Sequence, residues 1–111
     1  MVEYKKKAVK ISRQFDIDIV DLFEYGEETF GFNSAKIFIG EIFNLILNLD
    51  TTWLLYPECR HLTTKTKSYR NIILGSYLII YRVQPECIEV LKVISSRMSL
   101  KKIRQSRKIK I

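Results

Sequence analysis

Between Phe15 and Leu47 apolar residues recur at steps of three and four, which is the spacing of an amphipathic helix facing a core. A first helix is predicted to begin after Ser12, a favourable N-cap residue, and to run to about Thr29. Gly31 is placed to end this helix through a left-handed turn. The apolar positions that define its buried face are Phe15, Ile19, Val20 and Phe23.

A second helix is predicted to follow at once, with Asn33 as its N-cap. Because only a few residues separate the two helices, they are expected to pack antiparallel against each other as a helical hairpin. The apolar stripe of the second helix follows the i, i+3, i+4, i+7 pattern closely and comprises Ala35, Phe38, Ile39, Ile42, Phe43, Ile46 and Leu47.

Four segments have the composition of β-strands. The first, Val2–Ile11, alternates imperfectly and carries several charges, which is typical of a partly solvated edge strand. The other three are rich in Tyr, Ile, Val and Leu and are joined by short turns, so an antiparallel meander is predicted. These strands are Tyr69–Leu74, Ser76–Val83 and Ile88–Ile94, with Gly75 at the first bend.

The remaining segments are polar or irregular. Residues 49–66 are predicted to form a loop, starting with a short helical turn, that Trp53 and Leu54 hold against the core. The basic segment from Ser99 is expected either to form a short helix or to fray. The element order is then β-α-α-β-β-β, which predicts an α+β fold with the helices on one face of the sheet. Residues 1–98 would form a single domain and residues 99–111 a basic tail.

The net charge of +7 is distributed unevenly along the 111 residues. Residues 14–58 carry nine acidic and one basic side chain, whereas residues 97–111 carry seven basic and no acidic side chain. Residues 1–96 are neutral in sum, so the whole excess lies in the last 15 residues. We therefore interpret the charge as a basic face and end for an acidic protein partner, rather than as a general affinity for nucleic acid.

The sequence contains few residues suited to catalysis or metal binding. There is no glycine-rich phosphate loop, and Cys59, Cys87 and His61 do not have the spacing of metal ligands. Arg60 and His61 could lower the pKa of the Cys59 thiol, although an inert, partly buried thiol is the simpler interpretation. No signal peptide or membrane-spanning segment is visible, so a cytoplasmic protein with no cofactor, no metal and no membrane contact is expected.

Arginines and tyrosines are interspersed in the C-terminal half of the chain. Such a pattern suits binding of RNA or of a polyanionic protein surface. It suits equally a sheet in which the tyrosines pack inward and the arginines extend to solvent. The residues concerned are Arg70, Arg82, Arg97, Tyr69, Tyr77 and Tyr81.

The segment 69–83 (YRNIILGSYLIIYRV) resembles the central sheet of the ParE/RelE toxin superfamily, the plasmid stabilization proteins of type II toxin–antitoxin modules. The segments 54–60 (LLYPECR) and 88–97 (IEVLKVISSR) and the helix phrase 21–25 (DLFEY) fit the same pattern. The similarity extends to about Arg97, and the family has the element order derived above.

The resemblance implies one of two activities. RelE-like members cleave mRNA on the ribosome with basic residues of the sheet, to which Arg70 and Arg97 would correspond. Two further family positions, which often carry an Arg and a His, are occupied here by Leu78 and Ser95. Leu78 cannot hold a phosphate or transfer a proton, and Ser95 lacks the imidazole of a general acid or base. The phrase 77–82 (YLIIYR) is more similar to the ParE branch, whose members inhibit DNA gyrase without being enzymes. A ParE-like gyrase inhibitor is therefore favoured over a RelE-like endoribonuclease and over a degenerate, non-toxic member.

The resemblance also implies partners. A cognate antitoxin would neutralise the toxin and would itself make the contacts to operator DNA, and the target would be DNA gyrase, or the ribosome and mRNA in the alternative. A homodimer or a hetero-oligomer with the antitoxin is compatible with this. The residues expected to contact the target or antitoxin are Arg70, Tyr77, Arg82, Arg97, Lys101, Lys102 and Arg104.

Overall fold

A computed structural model describes residues 6–111 and has the predicted α+β architecture. The elements in order are β1 (Ala8–Ile11), α1 (Arg13–Phe30), α2 (Phe32–Leu47), the short α3 (Leu49–Thr52), β2 (Tyr69–Leu74), β3 (Tyr77–Val83), β4 (Cys87–Ser95) and α4 (Leu100–Arg104). A turn of 3-10 helix, Gln105–Lys108, follows α4. The predicted first strand is observed over Ala8–Ile11, whereas Lys6 and Lys7, which the prediction included, are not in a strand. The start of that prediction, residues 2–5, lies outside the described residues.

The four strands form one sheet in the order β1-β4-β3-β2. Strands β2, β3 and β4 pair antiparallel as the predicted meander, and β1 lies at the edge, parallel to β4. Ser12 fixes the junction between β1 and α1. Its hydroxyl accepts a 2.9 Å hydrogen bond from the Phe15 N–H and donates a 2.6 Å bond to the Leu91 carbonyl, so it caps the helix and ties it to β4.

The helical hairpin covers one face of the sheet, and the main core lies between them. Its fully buried members include Phe15 and Ile42 from the helices and Ile79, Tyr81 and Val90 from the strands. Each such side chain contributes about 1.5–3 kcal/mol to folding by leaving water. The helical hairpin and most of its apolar stripe are therefore confirmed. Val20 and Leu47, both predicted to be on the buried faces, are 55% and 60% exposed.

The turn between the helices differs from the prediction. Gly31 ends α1 and is also the N-cap of α2, so Asn33 lies inside α2 and does not cap it. Gly31 adopts φ +92°, a conformation that is costly for any residue with a Cβ, and this lets the chain reverse within one residue. The rings of Phe23 and Phe32 then meet edge to face at 5.9 Å and close the tip of the hairpin.

The opposite face of the sheet carries a second core, which we call the tail core. It contains Ile80, Leu91 and Ile94 from the sheet, Cys59 and Leu62 from the long loop, and Ile103 from α4. Ile103 is only 1% exposed, so the segment after Ser99 is a docked helix and does not fray. The basic C-terminal segment thus covers the face that the hairpin leaves open.

The loop between α3 and β2 is attached to both cores. Trp53 packs on the main core as predicted, whereas Leu54 is largely exposed and does not hold the loop in place. Further along, Glu58 forms an isolated bridge opposite Arg70 and extends the sheet locally beyond β2. The loop therefore passes from the hairpin side of the sheet to the tail core.

Candidate functional site

Arg70, a predicted binding residue on β2, is held by the adjacent loop. Its Nη1 donates a 2.6 Å hydrogen bond to the Tyr56 carbonyl and a longer bond, 3.4 Å, to the Leu54 carbonyl. The strand register sets it opposite Tyr81, whose hydroxyl donates to the Trp53 carbonyl at 2.7 Å. Burial raises the pKa of the Tyr81 hydroxyl, and the nearby positive charge of Arg70 opposes that increase. This geometry gives Arg70 a structural task in shaping the loop.

Arg82, a second predicted binding residue, points into the tail core side of the sheet. Its Nε donates a 2.6 Å bond to Glu89, and its Nη2 donates a 3.0 Å bond to the Ile109 carbonyl. The guanidinium also lies 5.8 Å from the Tyr69 ring centre. With a side chain only 14% exposed, Arg82 offers little surface to another molecule.

The partner of Arg82 is a carboxylate that stays ionised. Burial favours the neutral form of Glu89, but hydrogen bonds from Arg82 and Gln84 and the charges of Arg82 and Lys10 outweigh burial and lower the pKa of Glu89. The ion pair and its hydrogen bonds join β3, β4 and the C-terminal segment.

Tyr77 and Arg97 come together in a groove of about 440 Å³ between the helical hairpin and one end of the sheet. Tyr77 begins β3, and its ring contacts the Phe38 ring at a centroid distance of 5.6 Å. Arg97 follows β4 and is exposed, and among residues 6–111 no hydrogen bond or ion pair engages its guanidinium. We call this feature the hairpin groove.

The walls of the hairpin groove are apolar and partly exposed. Tyr25 and Phe30 of α1 are 51% and 71% exposed, values far above those of core aromatics. Arg97 is the one charged side chain among the residues that line the groove within the described chain. A partner residue that fits here would combine an apolar side chain with a carboxylate close by.

The predicted lysines and arginine of the tail lie on the exposed side of α4. Lys101, Lys102 and Arg104 are all exposed, while Ile103 between them is buried. Lys102 also reaches a shallow depression beside the hairpin groove that Tyr25 and Tyr77 help to line. The structure thus brings Tyr77, Arg97 and Lys102 into one neighbourhood and leaves Arg70 and Arg82 outside it.

The described residues include no cluster of metal-ligand side chains, and Cys59 has the surroundings of an inert thiol. Within residues 6–111, no group of three or more His, Cys, Asp or Glu side chains could hold a metal ion. Cys59 is buried, and burial raises the pKa of its thiol in spite of backbone hydrogen bonds that oppose the change. The interpretation of Cys59 as an inert thiol therefore fits the structure better than that of an activated one.

Sequence reasoning does not single out several residues of these surfaces. Tyr25 is noted in the sequence only as part of the segment that resembles the family, and Phe30 is not noted. An aromatic residue outside the apolar stripe of a helix does, however, indicate an exposed binding surface. Arg60, Lys65 and Lys67 of the long loop are likewise missed as a binding surface. Their positive charge is visible in the sequence, but their proximity to the tail depends on the fold.

None of the described helices is long and apolar enough to cross a membrane. None of the curated proteins compared with the chain matches it. A solved structure described as the chromosomal ParDE toxin–antitoxin system from P. aeruginosa is similar in fold, with a TM-score of 0.67. The match covers 81% of this chain and 96% of the other at 14% sequence identity.

The sequence itself matches a family model over residues 9–100, which include the sheet, the hairpin and the hairpin groove with Arg97. The description of that model is the ParE toxin of the type II toxin–antitoxin system parDE. With most of its length matched, the chain belongs to the ParE toxin family of type II toxin–antitoxin systems.

Proposed function

We propose that this ParE-family toxin acts by inhibiting DNA gyrase and is neutralised by a cognate antitoxin bound in the hairpin groove. The observation that favours this over mRNA cleavage is the separation of the two arginines that a ribonuclease would use. In the register of the sheet, Arg70 of β2 lies opposite Tyr81 of β3. Arg97 comes two residues after Ser95 of β4, which lies opposite Tyr77 at the start of β3. Four residues along β3 correspond to about 14 Å between these backbone positions. The Arg70 guanidinium is also bonded to the Tyr56 carbonyl and does not line the groove that contains Arg97.

The chemistry of the groove supports the antitoxin as its occupant. The family resemblance implies an antitoxin whose C-terminal segment wraps the toxin, and an acidic and apolar segment would suit this groove. An apolar side chain would fill the space between Tyr25, Phe38 and Tyr77, and a neighbouring carboxylate would meet the exposed guanidinium of Arg97. Lys102 lies close enough to extend that contact.

The cations Lys101, Lys102 and Arg104 are proposed to face the target. All three are exposed on α4, whose buried Ile103 packs on the side of the sheet away from the helical hairpin. Lys102 lies at the margin of the groove, so an antitoxin in the groove would leave Lys101 and Arg104 accessible. Arg70 and Arg82 would contribute indirectly, by holding the loop and the C-terminal segment in place.

Supercoiling assays test the target. The purified toxin should inhibit supercoiling of relaxed plasmid by gyrase at micromolar concentration, and should leave mRNA intact on translating ribosomes. Unimpaired supercoiling together with ribosome-dependent cleavage would replace gyrase inhibition with RelE-like activity. Normal growth on induction without antitoxin would instead identify a non-toxic member.

A charge reversal tests the groove. Arg97→Glu should weaken the complex with the antitoxin about tenfold or more, because the partner carboxylate would then meet a like charge. Arg13→Glu is the matched control, since Arg13 is exposed at the first residue of α1, the opposite end from Tyr25 and Phe30. Equal affinities of the two variants, measured by calorimetry, would remove Arg97 from the antitoxin site.

A further inference from the structure

The fold joins two basic segments into one surface, which we call the basic face. Its nine cations are all exposed and are Arg60, Lys65, Lys67, Lys101, Lys102, Arg104, Arg107, Lys108 and Lys110. The first three belong to the loop before β2 and the others to the C-terminal segment, so they are far apart in sequence.

Three contacts show that these segments form a single surface. Ile103 of α4 packs with Cys59 and Leu62, which flank Arg60 and His61 in the loop. Arg107 donates a 3.2 Å hydrogen bond to the Thr63 carbonyl. Ile109 packs in the same core, and its carbonyl accepts from Arg82, which holds the end of the chain against the sheet.

The basic face is strongly positive, with three carboxylates at its margins. Glu58 accepts a 3.2 Å hydrogen bond from the Thr64 N–H, and Asp18 and Asp21 line the depression that Lys102 also lines. Residues 59–67 and 97–111 contain no Asp or Glu. Of the two carboxylates that follow residue 58, Glu89 is bonded to Arg82 inside the sheet, and Glu86 lies in the turn before β4. A dense array of exposed cations that far outnumber the neighbouring acids is the electrostatic counterpart of a phosphate backbone.

Two observations decide between possible polyanions. Residues 60–67 and 97–111 contain no Phe, Tyr or Trp, so the basic face lacks the aromatic platforms on which single-stranded bases stack. Six of the nine cations are lysines, the residue in which protein–protein interfaces are depleted. Both observations favour the backbone of a nucleic acid duplex.

We propose that the basic face binds the phosphate backbone of duplex DNA directly and without sequence preference. This revises two expectations from the sequence: that the toxin contacts DNA only through its antitoxin, and that the basic charge serves an acidic protein partner rather than nucleic acid. The basic face shares Lys101, Lys102 and Arg104 with the surface proposed above to face the target. The inference concerns free DNA, so it does not depend on gyrase being that target.

Fluorescence anisotropy with a short labelled DNA duplex of mixed sequence tests the proposal. The isolated toxin should bind with a dissociation constant on the order of 10⁻⁶ to 10⁻⁴ M at physiological salt, more tightly at low salt, and equally for a shuffled sequence. The double variant Lys101→Gln/Arg104→Gln should reduce the slope of log K against log salt concentration by about two, because each substituted cation leaves one phosphate without its neutralising charge.

The matched control is Lys6→Gln/Lys36→Gln, which removes the same charge from exposed positions outside the basic face. Its salt slope should equal that of the wild type, and thermal unfolding of each variant verifies the fold. If both double variants lose the same amount of salt slope, DNA binding depends only on the net charge of the protein and not on the basic face. That result would overturn the proposal.

Three further results would also overturn it. These are absence of duplex binding at low salt, tighter binding of a single-stranded oligonucleotide of the same length, and tighter binding of phosphatidylserine vesicles than of DNA. Duplex binding with normal supercoiling in the gyrase assay would leave this inference intact and refute only the proposed target.

Discussion

Replacement of Ile103 by alanine is the sharpest test of whether the C-terminal segment is part of the folded core. Ile103 is 1% exposed and packs in the tail core with Cys59, Leu62 and Leu91. The change removes three buried carbon groups, worth about 0.8 kcal/mol each in transfer free energy. The cavity left behind raises the cost, so we expect the free energy of unfolding to fall by about 3 kcal/mol.

Urea denaturation followed by the fluorescence of Trp53, the single tryptophan, measures this loss. Trp53 packs on the main core, on the other side of the sheet from Ile103, so its signal reports unfolding of the whole domain. With a urea m-value of about 1.5 kcal/mol/M, the midpoint should fall by about 2 M. The melting temperature should fall by about 12 °C.

Ile37→Ala is the matched control, because it removes the same atoms from a side chain that is 65% exposed on α2. Its free energy of unfolding should lie within about 0.5 kcal/mol of the wild type. Equal midpoints for the two variants would refute the reasoning. The C-terminal segment would then be an independent tail, and the predicted domain boundary at residue 98 would hold.

Three other predictions concern single side chains. The pKa of Glu89 is lower in the folded protein than its ordinary value of 4.5. Glu89 therefore stabilises the fold fully above pH 4.5, and this stabilisation is lost as the pH falls through the pKa of Glu89 in the folded protein. Glu89→Gln should therefore cost about 2 kcal/mol at pH 7 and flatten the acid limb of stability against pH; an unchanged limb would contradict the role of the Arg82 pair. Cys59 and Cys87 are buried, and burial raises the pKa of Cys59, so Ellman's reagent should react slowly with the native protein and fully in urea, and fast reaction of the native protein would contradict this. The buried hydroxyl of Ser106 has no hydrogen-bond partner among the described residues, so Ser106→Ala should raise the free energy of unfolding by about 1 kcal/mol, and a lower urea midpoint would show that the hydroxyl is satisfied after all.

The elements with regular periodicity were predictable from the sequence. The bounds of β2 are those predicted, and Ser12 caps α1 as its position suggested. These features depend on neighbours within a few residues, which the sequence displays directly. The prediction for the turn at Gly31 names the wrong capping residue because a single left-handed glycine can end one helix and begin the next.

Features that depend on distant pairing were not predictable. The tail core joins isolated apolar residues of two polar segments, such as Leu62 and Ile103, and neither has a periodic pattern around it. The pairing of Arg82 with Glu89 is not visible in the sequence, because it depends on the register of β3 and β4. Arg97 and Tyr77 share the hairpin groove only because the end of β4 lies beside the start of β3.

The parallel pairing of β1 with β4 has a consequence for the way the toxin folds during its synthesis. Ala8 pairs with Cys87 and the Lys7 amine donates to the Gln84 and Pro85 carbonyls, so the first strand finds its partners nearly 80 residues later. At about 5–20 residues per second, translation leaves β1 without a partner strand for roughly 4–16 s. Contacts so distant in sequence also form slowly. The nascent toxin therefore passes through an interval in which the helical hairpin has emerged but the sheet that supports the hairpin groove has not yet assembled.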